Sequence, residues 1–139
     1  MKLSTRSRYA VRALAMLASE FGSGPIMLQK IAEAEKLPES YLEQLLMHLR
    51  RGGIVKSSRG AKGGYELTKP PEDIFIGEII ELLDGKIDLA NCASIPNCSG
   101  TTQNCECMLK HILDEASIAV ARVFYNKSLK DVSCKNKYS

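Results

Sequence analysis

A mostly α-helical fold with one small β-hairpin is what this chain predicts: a winged helix-turn-helix unit followed by a long C-terminal helix. Three observations carry the expectation. Two short amphipathic segments flank a tight break at Lys36-Leu37-Pro38. A turn rich in glycine and cations, residues 59–63, separates two strand-like runs, and an apolar stripe repeats at helical spacing across 106–126.

Taken in order, Tyr9, Ala10, Leu14, Ala15, Leu17 and Ala18 recur at helical spacing and predict a first helix over 5–20, which Gly22, Gly24 and Pro25 end. Residues 28–35, LQKIAEAE, predict a short second helix with Leu28, Ile31 and Ala32 turned inward. The third helix is expected to start near Pro38 or Ser40. Ser40-Tyr41-Leu42-Glu43 suits a capping box, and Pro38 alternatively suits the first helical position. Its apolar stripe is Leu42, Leu45, Leu46 and Leu49, and Gly52-Gly53 stops it.

Two such helices with a tight turn between them make a helix-turn-helix candidate. Residues 54–58 and 64–67 predict a strand pair whose tip, Arg59-Gly60-Ala61-Lys62-Gly63, is cationic: a wing. Residues 76–84, IGEIIELLD, predict a fourth helix stopped by Gly85, and residues 86–105 a loop. The final helix, 106–126, carries Leu109, Ile112, Leu113, Ala116, Val120 and Val123, a stripe wider than the edge of a small domain needs. It suits a dimer seam; the alternative is packing on its own domain. The polar, lysine-rich stretch 127–139 is expected to fray. The expected organisation is therefore a winged unit over 1–84, a cysteine-rich loop over 85–105, a dimerisation helix over 106–126 and a tail.

Composition narrows the function. The chain has 139 residues, 45% of them hydrophobic, enough for one modest core. There is no run of 18 or more apolar residues, so neither a membrane span nor a membrane partner is expected. The basic-then-apolar start faintly resembles an export signal, but Arg8 and Arg12 interrupt it at helical spacing, so a cytoplasmic location is expected. Charge is uneven: residues 1–70 hold 12 Lys+Arg against 6 Asp+Glu, and residues 71–139 hold 7 against 10. A basic first half beside an acidic second half fits a nucleic-acid-binding part and a separate partner or sensor part. No Ser/His/Asp set, phosphate-binding loop or dinucleotide fingerprint occurs, so no enzyme is expected.

The third helix is the one suited to a major groove. Near its start, Gln44 can bond adenine with two hydrogen bonds, Glu43 can accept from a cytosine amino group, and Ser40 can serve either base. Ser40 and Tyr41 can also bond phosphate at a helix N-terminus. Glu43 alternatively only closes the capping box, and Tyr41 is alternatively half core. At the wing tip, Arg59 and Lys62 suit a narrow minor groove, with Gly60, Gly63 and Gly64 allowing close approach. Arg6, Arg8, Arg50 and Arg51 are phosphate contacts or plain surface charge.

Four cysteines fall within sixteen residues: Cys92, Cys98, Cys105 and Cys107; a fifth, Cys134, reads as a free tail thiol. In a reducing compartment such clusters bind metal or act in redox chemistry more often than they form disulfides. Zinc ribbons prefer paired C-x2-C knuckles, and none occurs here. The gaps of five and six residues suit an iron–sulfur cluster wrapped by a loop. Zinc, or a thiol–disulfide switch without metal, is the alternative. If the last helix begins near Glu106, Cys107 and His111 share a face and can ligate together; otherwise His111 is a surface histidine.

The opening MKLSTRSRYAVRAL, then SYLEQLL, SSRGAKGGYELTK, IGEIIELLDG and the C-x5-C run together resemble the IscR-like, or Rrf-two, family of winged-helix regulators. The resemblance covers about residues 1–126. It implies a homodimeric transcription factor, not an enzyme, bound to a palindromic operator in double-stranded DNA, with the last helix crossing to the partner. In cluster-bearing members three loop cysteines and a fourth, non-cysteine ligand hold an iron–sulfur cluster that senses cluster supply, nitric oxide or redox state. Other members lack the cysteines and control sulfur or cysteine metabolism through a protein partner.

By position, Cys92 and Cys98 match the first two ligands. Counting back from the last helix gives Cys107 as the third, and loop spacing gives Cys105. A histidine of some members aligns with Lys110, one residue before His111, which leaves the fourth ligand open. Where some relatives carry an N-terminal carboxylate, this chain has Arg8. A [2Fe–2S] cluster is favoured over [4Fe–4S]. The expected protein is a dimeric repressor whose operator affinity follows the cluster. The alternatives are a cluster-free regulator and a small metal or electron carrier.

Overall fold

The computed structural model describes residues 3–89 and 108–133. Helix α1, Thr5–Ser19, is capped by Ser4, whose side chain accepts from the Ser7 N–H, and it buries Ala10, Ala13, Leu14 and Leu17. Helix α2, Leu28–Glu35, ends at Lys36, which takes a left-handed conformation at φ 55° and turns the chain toward the next helix.

Helix α3, Glu39–Arg51, packs Leu42, Leu45, Leu46 and Leu49 into the core, as their 3–4 spacing requires. Its start differs from both sequence expectations. Pro38 stands at the N-cap rather than inside the first turn, and no side chain caps the helix. Ser40 is thereby two residues too deep to serve as a cap, and the Ser40–Glu43 box does not form. Both side chains are left exposed.

Strands β1, Val55–Ser58, and β2, Gly64–Leu67, pair antiparallel with Val55 opposite Leu67 and Ser58 opposite Gly64. The hairpin is tied to the helices by Ile26, which exchanges two backbone hydrogen bonds with Tyr65 at 2.8 and 2.9 Å. Gly64 permits this approach, because a Cβ there would overlap the Ile26 carbonyl. A 3-10 turn, Pro71–Asp73, leads into helix α4, Ile76–Asp84, which buries Ile76, Ile79, Ile80 and Leu83 and ends at Gly85 with φ 86°.

Helix α5, Met108–Tyr125, lays Val120, Ala121 and Phe124 on the core. The stripe read from its sequence divides. Leu113, Ala116 and Val120 are half-buried, whereas Leu109, Ile112 and Val123 stay 57–59% exposed, joined by Ile118 at 60%.

The expectation that everything after residue 126 frays is corrected for residues 127–133. Helix α6, Leu129–Val132, starts with a capping box between Ser128 and Asp131, and Leu129 is fully buried. The Leu129 N–H donates to the Ile74 carbonyl at 2.9 Å, and the Ile76 N–H donates to the Lys127 carbonyl at 2.8 Å. One buried leucine and two backbone bonds therefore return the chain to the N-terminal unit. Among the described residues no helix is long and apolar enough to cross a membrane, and no buried side-chain polar atom lacks a partner.

Candidate nucleic-acid interface and cysteine segment

With four leucines turned inward, α3 presents Ser40, Glu43 and Gln44 to solvent, and Met47, His48 and Arg51 continue the same outer side. Tyr41 sits at the rim, half-buried. Its ring meets Tyr9 edge-on at 6.1 Å between centroids, and the Arg12 guanidinium lies 5.6 Å from the Tyr9 ring centre. Arg12 also pairs with Glu35 at 2.8 Å, so this contact set ties α1, α2 and α3 together at the start of α3. Of the two roles open to Tyr41, the packing role is visible in the fold.

At the hairpin tip Arg59 and Lys62 are both exposed, and neither forms a salt bridge among the described residues. The other hairpin cation, Lys56, faces Glu66 at 3.7 Å. Gly60, at φ 105°, makes the turn, which closes with a Gly63 N–H to Gly60 carbonyl bond of 2.9 Å. Arg50 does not point outward freely: it donates to Ser57 Oγ at 3.1 Å and so links α3 to β1. Arg6 donates to the Leu83 carbonyl at 2.8 Å, which satisfies a carbonyl at the end of α4. Arg8 and Arg51 are exposed.

Beside Arg6, Asp84 joins the end of α4 to the start of α1. Its carboxylate accepts from the hydroxyls of Ser4 and Ser7 and from the Ser4 N–H. Partial burial pushes the Asp84 carboxyl up. The Ser4 and Ser7 hydrogen bonds, with Arg6 nearby, outweigh it and hold the group below its ordinary value. A carboxylate at a helix N-terminus is also favoured by the α1 dipole.

All five cysteines, including Cys92, Cys98, Cys105, Cys107 and Cys134, lie outside the described residues. The ends of the central segment are placed. The Leu89 N–H donates to Ser117 Oγ at 2.7 Å, midway along α5, and Met108 opens α5. The described residues on either side of 90–107 thus both belong to or bond to α5. The four thiols carried between these anchors are a donor set suited to iron, since thiolates are the usual protein ligands of iron–sulfur clusters. His111 is exposed on the first turn of α5, and its partnership with Cys107 lies outside the described residues. Among the described residues no three His, Cys, Asp or Glu side chains converge as a metal site.

Two contacts connect this region to α3. Tyr125 donates its hydroxyl to Glu81, and its ring lies where a side chain on Gly77 would project. The Glu81 hydrogen bond, with burial added, pushes the Tyr125 hydroxyl up to about 12. On the other side of α4, Leu82 covers Gly52 at the end of α3. Gly77 and Gly52 mark close approaches that spacing rules do not reveal.

The sequence matches the Rrf2 family, iron-dependent transcriptional regulators, over residues 3–135. This chain belongs to the Rrf2 family. An HTH-type transcriptional regulator of Haemophilus influenzae is 38% identical over 86% of this chain and 78% of its own length. CymR of Bacillus subtilis is 48% identical over 63% of each chain. IscR of Klebsiella pneumoniae is 34% identical over 96% of this chain and 85% of its own.

Solved structures agree with the fold. The B. subtilis global cysteine regulator CymR superposes with a TM-score of 0.80 at 34% identity, covering 96% of both chains. IscR of T. potens gives 0.74 at 36% identity, covering 95% of this chain and 85% of its own. The Rrf2 chain is thus a mostly helical transcriptional regulator with a two-stranded wing, as its sequence led one to expect.

Proposed function

We propose that this Rrf2 protein is a homodimeric repressor that binds a palindromic operator in double-stranded DNA, and that an iron–sulfur cluster modulates that binding. The observation that carries the DNA reading is the outer side of α3, with Ser40, Glu43 and Gln44 exposed, standing next to a hairpin whose tip shows Arg59 and Lys62 without acidic partners among the described residues. Ser40, Glu43 and Gln44 read base edges, Tyr41 contacts phosphate from the rim, and Arg59 and Lys62 enter the minor groove. The exposed Leu109, Ile112 and Val123 support a seam along α5 between two copies.

Cys92, Cys98 and Cys107 would hold the cluster, with Cys105 the alternative third thiolate and His111 a candidate fourth ligand; a [2Fe–2S] form fits three thiolates and one other donor. When bound, it supplies iron–thiolate bonds that cross-link the segment and that oxidants or nitric oxide can break. Leu89 and Ser117 pass the order of that segment to α5, Tyr125 and Glu81 pass it to α4, and Leu82 passes it to α3. A shift of about 1.4 kcal/mol between two arrangements changes affinity about tenfold.

The test is anaerobic purification with absorption spectroscopy and iron and sulfide assay, followed by DNA binding of cluster-loaded and cluster-free protein. Two forms with different affinities support the reading. A protein without iron or sulfide after reconstitution removes the cluster. What then remains is the second reading, a cluster-free regulator of sulfur or cysteine metabolism acting through a protein partner. The 48% identity to CymR favours it.

A further inference from the structure

Met47 stands out on the outer side of α3. Successive residues of a helix are rotated by about 100°, so the side opposite Leu42, Leu45, Leu46 and Leu49 is centred on Ser40, Gln44, Met47 and Arg51. Of these, Met47 is the one large apolar side chain, and it is 41% exposed. It is out of phase with the leucine stripe, so burial in this fold does not account for it. Glu43 precedes it by one turn and Arg51 follows by one, which places it among the polar groups assigned to base reading. The major-groove edge of a base pair offers one apolar feature, the C5-methyl group of thymine. A long, flexible thioether is well shaped to cover a methyl group.

We infer that Met47 is a specificity residue that reads a thymine by contact with its C5-methyl group, one turn beyond the bases that Glu43 and Gln44 read. The inference rests on the DNA-binding reading of α3. Arg50, its neighbour, is already engaged with Ser57 and does not compete for that position. The contact confers preference without a hydrogen bond, so it discriminates thymine from uracil as well as from cytosine.

The experiment uses the full-length protein and a duplex recovered by wild type from a random-sequence library. Each thymine of that duplex is replaced in turn by deoxyuridine, which removes only the methyl group. Wild type is expected to lose about fourfold in affinity at one position per half-site, the effect of one buried methyl-sized group. Met47→Ala should bind the thymine duplex about fourfold more weakly and lose nothing further with deoxyuridine. Met47→Leu, which keeps an apolar reach, should retain the preference. Because Met47 is exposed, these variants fold, and circular dichroism checks that.

An equal thymine-to-uracil ratio for wild type and Met47→Ala overturns the inference, as does a duplex with no methyl-sensitive position. Failure of wild type to recover any duplex instead overturns the DNA-binding reading, and this inference with it.

Discussion

Gly77 of α4 and Tyr125 of α5 are in contact so close that a Cβ on the glycine would overlap the tyrosine ring. The ring cannot simply move aside, because its hydroxyl is bonded to Glu81 one turn further along α4. Gly77→Ala is therefore expected to destabilise the protein despite its better helix propensity. Overpacking costs about 1–3 kcal/mol and the propensity gain offsets about 1 kcal/mol. In a Tyr125→Ala background the same substitution should become stabilising. Urea denaturation of the four proteins measures the reversal; unchanged sign in both backgrounds would show that the two helices are not in contact.

Asp84 gives a pH dependence whose direction follows from its lowered folded pKa. Its contribution is fully present above the unfolded-state value of about 3.9 and is lost as pH falls through the lower folded value. At neutral pH Asp84→Asn should unfold at a lower urea concentration than wild type. The gap should shrink steadily in titrations taken below about pH 4. A gap that persists unchanged into acid would mean that the carboxylate charge is irrelevant to the α1–α4 junction.

Leu129 is fully buried beneath a four-residue helix. Leu129→Ala should cost about 2–5 kcal/mol, the range for a buried leucine. A tail that merely frayed would show no change in the unfolding midpoint.

At the wing, Arg59→Ala is expected to flatten the logarithmic salt dependence of DNA affinity by about one unit, since one cation stops displacing counterions. Titrations at several salt concentrations give the slope. An identical slope would place the hairpin tip away from the duplex.

Among the thiols, Cys92→Ser, Cys98→Ser and Cys107→Ser should each abolish iron retention after anaerobic reconstitution, and Cys105→Ser should leave it intact. Iron retained by Cys107→Ser and lost by Cys105→Ser would exchange their roles.

The sequence by itself determined α1 to α4 and the hairpin, with their inward faces, but not α6 or the divided face of α5. The leucines of α3, the alternation into the hairpin and the stop at Gly85 are local patterns, and local geometry makes them periodic. It also determined the family, because SYLEQLL and SSRGAKGGYELTK carry fold and surface chemistry in one stretch. Tertiary structure decided the rest. Only the packed chain shows that Pro38 occupies the N-cap position of α3 while Ser40 and Glu43 stay exposed, that Arg50 turns to Ser57, and that Leu129 returns to Ile74. The physical reason is sequence separation. Residues 80 apart, such as Ser4 and Asp84, leave no periodic trace, and their hydrogen bond exists only once the core has brought two helix ends together.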